Sequence, residues 1–325
     1  MISQRISLQL TITVISLMMV SGSFVQSTTG RAPTAQQDSP SAYIEGNRMA
    51  ADIGQWSQTS GPDGGSVTAL LINGADLFAG TGPSGVFRST NQGQSWAAAN
   101  AGLGNVGILA FAASGNNLFA GAANGVFRST DRGQSWTAAN SGLPGGTIGA
   151  LAVSGANLFV AINTPEGLGR GRIFRSGDQG QSWTEAGTGL SGTIIRGIAV
   201  SGGDLYAGGN FGQVFRSADQ GQSWSQASTG LPSTSIEDLA ASGGNIFAAT
   251  ISNGVYRSTN QGQSWTAVNT GLAEMVTNVL AASGSNLFVG TVRGVFRSTD
   301  QGQNWTAVNA GMPSSQVISL TASGD

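Results

Sequence analysis

The 325-residue chain has no cysteine, no histidine and no lysine, so all 14 of its basic residues are arginine. Without Cys or His there is no zinc site built from those ligands, no Ser-His or Cys-His nucleophile pair and no thiol redox chemistry. Without lysine there is no Schiff base. Charged residues make up 9% of the chain, against roughly 25% in ordinary soluble domains. Sixteen acids against 14 bases leave a net charge of -2, which gives no basic footprint for nucleic acid or an anionic membrane. What the chain has in excess is glycine, 51 residues, with seven tryptophans set among them.

The first fifty residues read as an address and a tether. Arg5 precedes an uncharged, mostly apolar run from Ile6 to Val20, and small residues follow at Ser21, Gly22 and Ser23. That pattern predicts a secretory signal over residues 1–23. The run falls short of the ~20 apolar residues that a spanning helix needs, and polar residues interrupt it. Cleavage and retention as an N-terminal anchor both stay open. Residues 24–50 mix Ser, Thr, Gln and Pro without a period, the composition of a flexible linker. The expected destination is secreted or extracytoplasmic, at the cell surface or in a periplasm.

From residue 51 onward the sequence repeats. Tryptophan stands at 56, 96, 136, 183, 224, 265 and 305, at intervals of 40, 40, 47, 41, 41 and 40 residues, the long interval holding an insertion at 163–172. A fixed period of this length marks a repeat architecture. Each unit holds four short runs, seen in the fifth as 235–241, 245–250, 254–258 and 264–268, separated by Gly- and Asn-rich turns. Four strands per unit, with no run at helical spacing, predict an all-β fold: a β-propeller of four-stranded blades filling residues 51–325.

The turn before each tryptophan is the most regular feature. It reads Ser-x-Asn/Asp-x-Gly-Gln-Ser/Asn-Trp six times, ending at Trp96, Trp136, Trp183, Trp224, Trp265 and Trp305. This resembles the Asp-box, or BNR repeat, of sialidases, xyloglucan-degrading enzymes, sortilin-type receptors and the photosystem II assembly factor propellers. The resemblance implies the propeller fold and leaves function open, since those families do unrelated things. Asp or Asn is expected to bond its own backbone two residues on, and Gly to supply the positive φ of the hairpin. Trp is expected to plug the gap between sheets while its indole N–H finds a carbonyl. Asn91 and Asn260 replace Asp with no other change, which favours a hydrogen-bonding role over a calcium site. No cofactor and no metal are expected.

Strand counting predicts six complete blades and a split seventh. Asp52–Trp56 with the following Ser-Gln-Thr looks like a lone fourth strand and Val317–Gly324 like a lone first strand, two pieces of one blade contributed by both ends of the repeat region. The other units continue past the position of Asp325, so the record is expected to be truncated.

In such a meander the first-to-second and third-to-fourth turns share one face, which here is monotonous. Second-to-third loops and blade-to-blade crossings share the other, where the repeats differ. One column near the start of the inner strands reads Thr68, Leu109, Gly149, Arg196, Glu237, Asn278 and Ile318. Arg196 and Glu237 are expected on neighbouring blades, with Asp238, Glu274 and Arg293 nearby at the channel mouth. Phe211 and the insertion residues Glu166, Arg170 and Arg172 are expected to rim the same cup. Such a cup suits a sugar ring or a peptide; a cross-blade ion pair with solvated neighbours, and a loop-packing phenylalanine, are the plainer readings.

A hydrolase needs more than the chain offers. Most glycoside hydrolases use paired carboxylates, and sialidases a tyrosine. Tyr206 and Tyr256 replace phenylalanines of other blades, Tyr43 lies in the linker, and no motif supports Glu237, Asp238 and Glu274 as an acid/base set. The expectation is a monomeric, exported, non-catalytic scaffold that binds a protein or a carbohydrate through its variable face. A sialidase-like hydrolase, a photosystem II assembly factor-like propeller and a purely structural surface protein stand as alternatives.

Overall fold

The computed structural model describes residues 61–62, 66–82, 84–164, 171–187, 189–190, 193–312 and 316–322. The expected signal segment (1–23) and linker (24–50), Asp52–Trp56, Glu166 and Arg170 lie outside the described residues. Six four-stranded antiparallel sheets follow one another, each with its strands in chain order from the inside outward. Blade 1 is Val67–Asn73, Asp76–Thr81, Gly85–Ser89 and Ala97–Ala98. The inner strands of blades 2 to 6 are Ile108–Ser114, Thr147–Ser154, Ile195–Ser201, Ile236–Ser242 and Thr277–Ser283, and each lies beside the inner strand of the next blade. The fold is a β-propeller.

The core sits between blades, because each sheet needs a neighbour on both faces. The second strands are buried almost throughout beyond an initial Asp or Asn, and they carry Phe78, Phe119, Phe159, Tyr206, Phe247 and Phe288, all essentially inaccessible. Phe119 of blade 2, for example, packs with Leu158, Val160, Phe174 and Trp183 of blade 3. Five Trp indole N–H groups reach back one blade to a carbonyl just beyond the outer strand, while Trp96 Nε1 is buried without a partner among the described residues. Trp136 donates to Ala99, Trp183 to Ala139, Trp265 to Ala227 and Trp305 to Val268 at 2.7–2.9 Å, and Trp224 to Ala186 at 3.3 Å. These tryptophans are therefore plugs and inter-blade ties at once.

The repeated turn works differently from the expected two-residue Asx closure. In the second copy the Asp131 carboxylate accepts the backbone N–H of Ser135, four residues on, at 2.9 Å, while Ser129 Oγ accepts the Gly133 N–H at 2.8 Å. Two successive residues take positive φ: Gln or Arg at 56–60°, then Gly at 79–84°. The glycine is also a matter of space, since a Cβ on Gly133 would lie 2.6 Å from the ring of Phe78 in the preceding blade. Asn91 and Asn260 make the same backbone bond at 2.9 Å, and their Nδ2 donates to the serine whose hydroxyl donates to Asp in the charged copies. A serine hydroxyl can turn to suit either partner.

Outer strands are two residues long rather than five, Thr266–Ala267 in blade 5. After them an asparagine folds inward and accepts the N–H of a third-strand valine: Asn100 with Val86, Asn140 with Val126, Asn269 with Val255 and Asn309 with Val295, at 2.6–2.8 Å. A side chain thus replaces the ladder, and the exposed sheet edge stays short.

The two faces separate as the topology requires. On one, Gln179, Gln220 and Gln301 of the repeated turns reach Ser114, Ser154 and Ser242 at the hairpins of the preceding blades. On the other, second-to-third loops bond the crossings, as in Gly254 N–H to Met275 O at 2.9 Å and Asn269 Nδ2 to Asn253 O at 3.1 Å. Residues 316–322 stand where a seventh inner strand belongs. Val317 is buried with Phe288 and Val295, donates its N–H to Thr291 O at 2.8 Å and accepts from Asn278 Nδ2 at 3.0 Å.

Candidate functional site

A cavity of about 270 Å³ lies on the propeller axis, lined by all seven inner segments. The sequence column Thr68, Leu109, Gly149, Arg196, Glu237, Asn278 and Ile318 falls on its wall. The cause is a feature that hydrophobic patterning does not reveal. In each of the six inner strands the register with the second strand skips one residue, and the skipped residue is the column residue: Val67 pairs with Thr81 and Ala69 with Gly80, leaving Thr68 between them. The same bulge leaves out Leu109, Gly149, Arg196, Glu237 and Asn278. A bulge re-aims the extra side chain and frees it from the ladder.

Two of the six bulge side chains hydrogen-bond the next segment. Thr68 Oγ1 donates to Ile108 O, and Asn278 Nδ2 to Val317 O, in each case the carbonyl just before the next column residue. Arg196 is held in two directions. Its Nε donates to Asn210 Oδ1 at 3.3 Å, and its Nη1 lies 3.6 Å from Glu237 Oε2. Glu237 is 18% exposed through its side chain, yet its Oε1 is wholly covered and has no hydrogen-bond partner. An ionised carboxylate can only accept, so it cannot repeat the Thr68 and Asn278 bond to a carbonyl.

Asp238 follows Glu237 in the wall. Its Oδ1 accepts Leu239 N–H at 2.8 Å and its Oδ2 accepts Leu280 N–H of the next blade at 2.9 Å. Burial pushes its carboxyl up to about 6 against the pull of these two amides, and the Glu237 charge adds to the rise. The polar half of the channel, from Arg196 to Asn278, faces Leu109, Phe111 and the bare backbone of Gly149.

The remaining sequence candidates spread over three places. Glu274 and Arg293 pair with each other at 3.4 Å and do not line the cavity; they sit on the rim, where Glu274 also accepts Met275 N–H at 3.1 Å. Phe211 caps a single 3₁₀ turn, Asn210–Gly212, with φ of 58° and 69% of its surface exposed. Arg172 is remote from the cup. It forks onto Glu185 of the outer strand and lies 5.0 Å over the Phe174 ring, a diagonal cross-strand pair at the outer edge of blade 3.

The sequence pointed to Phe211 on the rim but not to the apolar residues that join it there. Among the described residues the exposed large hydrophobics are Leu109, Phe211, Ile251 and Met275. All four belong to the variable end of the ring: the channel wall, the loops of blades 4 and 5, and the crossing into blade 6. Hydrogen bonds join the segments that carry three of them into one strip. Asn210 Oδ1 accepts Ser235 Oγ at 2.9 Å, Ser235 O accepts Ile251 N–H at 3.1 Å, and Met275 O accepts the nearby Gly254 N–H. The two tyrosines point away from this strip: Tyr206 is buried with Ile236 and Trp265, and Tyr256 packs beside them.

Comparison with known proteins bears on the fold. The model of the DUF6242 beta propeller domain matches residues 220–324. No curated protein matches the chain. Among solved structures, YCF48 bound to D1 peptide is 16% identical with a TM-score of 0.57, covering 74% of this chain and 81% of that one. YCF48 from Cyanidioschyzon merolae is 15% identical at 0.58, covering 78% and 88%. The extracellular domain of BT4673 from B. thetaiotaomicron is 18% identical at 0.61, covering 74% of this chain but 34% of that one. At such identities the likeness is one of architecture, and the architecture is that of a β-propeller.

Proposed function

We propose that this chain is an exported, non-catalytic binding scaffold of the Asp-box type, and that it takes a polypeptide ligand on its variable face, across the channel mouth. One observation carries the reading. The exposed apolar side chains Phe211, Ile251 and Met275 form a strip on the same face as the only charged bulge residues, Arg196 and Glu237, among the described inner strands. Exposed apolar groups rimmed by polar ones mark interaction sites. Support comes from the propeller named as bound to D1 peptide and from the extracellular domain of BT4673, which share this architecture. A carbohydrate ligand would call for an exposed aromatic platform, and among the described residues Phe211 is the single candidate on this face.

The test is a capture experiment. The mature chain is immobilised and offered a panel of surface proteins and a glycan array, beside Arg196→Ala/Glu237→Ala and Phe211→Ala variants. Capture of a polypeptide that both variants lose supports the reading. Capture unchanged in both, or capture of glycans alone, overturns it. Turnover of fluorogenic sialosides or glucosides by the purified protein would overturn the non-catalytic part.

A further inference from the structure

We infer that the channel mouth is a socket for a cationic side chain, a lysine ammonium or an arginine guanidinium on its alkyl stem. The inference rests on the proposed polypeptide-binding reading and specifies what the partner must carry.

Acceptors and donors at the mouth do not balance. Arg196 spends Nε on Asn210 and leans an Nη1 towards Glu237 Oε2 at 3.6 Å, longer than a hydrogen bond. Asn278 and Thr68 are each committed to a carbonyl of the next segment. Glu237 Oε1 is left covered by protein with nothing donating to it. A covered acceptor without a donor is costly, and a charged one more so. Asp238 alongside brings two more acceptor oxygens, each with one backbone N–H. Two carboxylates against one guanidinium leave the wall short of positive charge and of donors.

The shape fits such a guest. Opposite the carboxylates, Leu109 and Phe111 line the cavity. A stem of three or four methylenes can lie on Leu109 and Phe111 while its head reaches Glu237, as long basic side chains do when they bury their stems. The bulge leaves Glu237 out of the strand register, so its side chain is the adaptable element that must turn the covered Oε1 towards a guest entering the mouth. An anionic guest would leave Oε1 unpartnered and meet two carboxylates.

The experiment uses three capped tripeptides, Ac-Gly-Lys-Gly-NH₂, Ac-Gly-Arg-Gly-NH₂ and Ac-Gly-Glu-Gly-NH₂. Each is titrated into the full-length protein while the amide resonances of Gly197, Glu237 and Leu239 are followed by NMR. The basic peptides are expected to shift these resonances saturably. Glu237→Gln, which keeps the size and one acceptor, is expected to weaken them about tenfold or more, as loss of a charge-assisted bond does. The acidic peptide is expected to leave them unmoved. If the acidic peptide alone binds, the cation assignment fails and the polypeptide reading stands. If the basic peptides bind the Gln variant as well as the parent, or no peptide shifts the channel amides, the socket is refuted, while the capture experiment still decides the broader reading.

Discussion

Asn140→Ala offers the sharpest test of how the blades hold their outer edges. Asn140 Oδ1 accepts the N–H of Val126 at 2.7 Å, and Val126 is fully buried. Alanine leaves that N–H without a partner, in a place where water does not reach. An orphaned buried donor costs about 1–3 kcal/mol. For a domain of this size each kcal/mol moves Tm by roughly 2–4 °C, so the variant should melt about 2–12 °C lower. Serine is the control that the protein itself supplies. Ser228 stands at the matching position of blade 4, and its Oγ accepts Val214 N–H at 2.8 Å. Asn140→Ser should therefore lose less than about 1 kcal/mol, since the acceptor survives. Thermal and urea unfolding followed by circular dichroism measure both, with an unchanged m-value showing that stability alone has moved. Equal losses in the alanine and serine variants, or no loss in either, would refute the reasoning and return the edge to simple packing.

Other perturbations probe the remaining ties. Trp183→Phe keeps most of the buried ring but removes the donor to Ala139 O, and should cost about 1–3 kcal/mol in urea unfolding. Asp131 is held down to about 2, first by the Ser135 hydroxyl and then by its backbone N–H. Its contribution is therefore present above about pH 4 and lost as pH falls towards 2. Asp131→Asn should match the parent at pH 7 and resist acid better, because Asn91 and Asn260 already do this work. Asp238 has the opposite sign: raised to about 6, it binds its proton more tightly in the folded state, so ionising it weakens the fold as pH rises from about 4 to about 6. Tm measured across that interval should fall in the parent, and the slope should flatten in Asp238→Asn.

Much of the ring was written in tryptophan spacing and turn chemistry. A Trp every 40 residues, returning after Gly-Gln-Ser, names the period, the strand count and the side on which the repeats stay alike. The departures from expectation have local causes. Two adjacent positive-φ residues, one of them Gln or Arg, are invisible to a rule that assigns αL to glycine. Outer strands looked longer because Asn140 and its counterparts satisfy the next third-strand N–H through a side chain, a bond that alternation of residues does not show. Arg172 seemed to belong to the cup because it sits near an insertion, but its partner Glu185 comes from the outer strand thirteen residues later. Arg196 and Glu237 were legible as neighbours from their 41-residue separation alone. Their inward aim, and the covered oxygen of Glu237, depend on a register skip that no composition records.

That skip has an evolutionary corollary. A residue left out of the pairing of its strand can be exchanged without shifting that register, so the axial opening holds one position per wedge whose limits are set by the neighbouring segment, as at Gly149, where a Cβ would lie 2.2 Å from Ile195 O. Threonine, leucine, glycine, arginine, glutamate and asparagine already occupy it within this one chain. New specificity at the axis therefore requires no new loop, only a different letter at an offset that the strand register leaves out, wherever the next segment leaves it room.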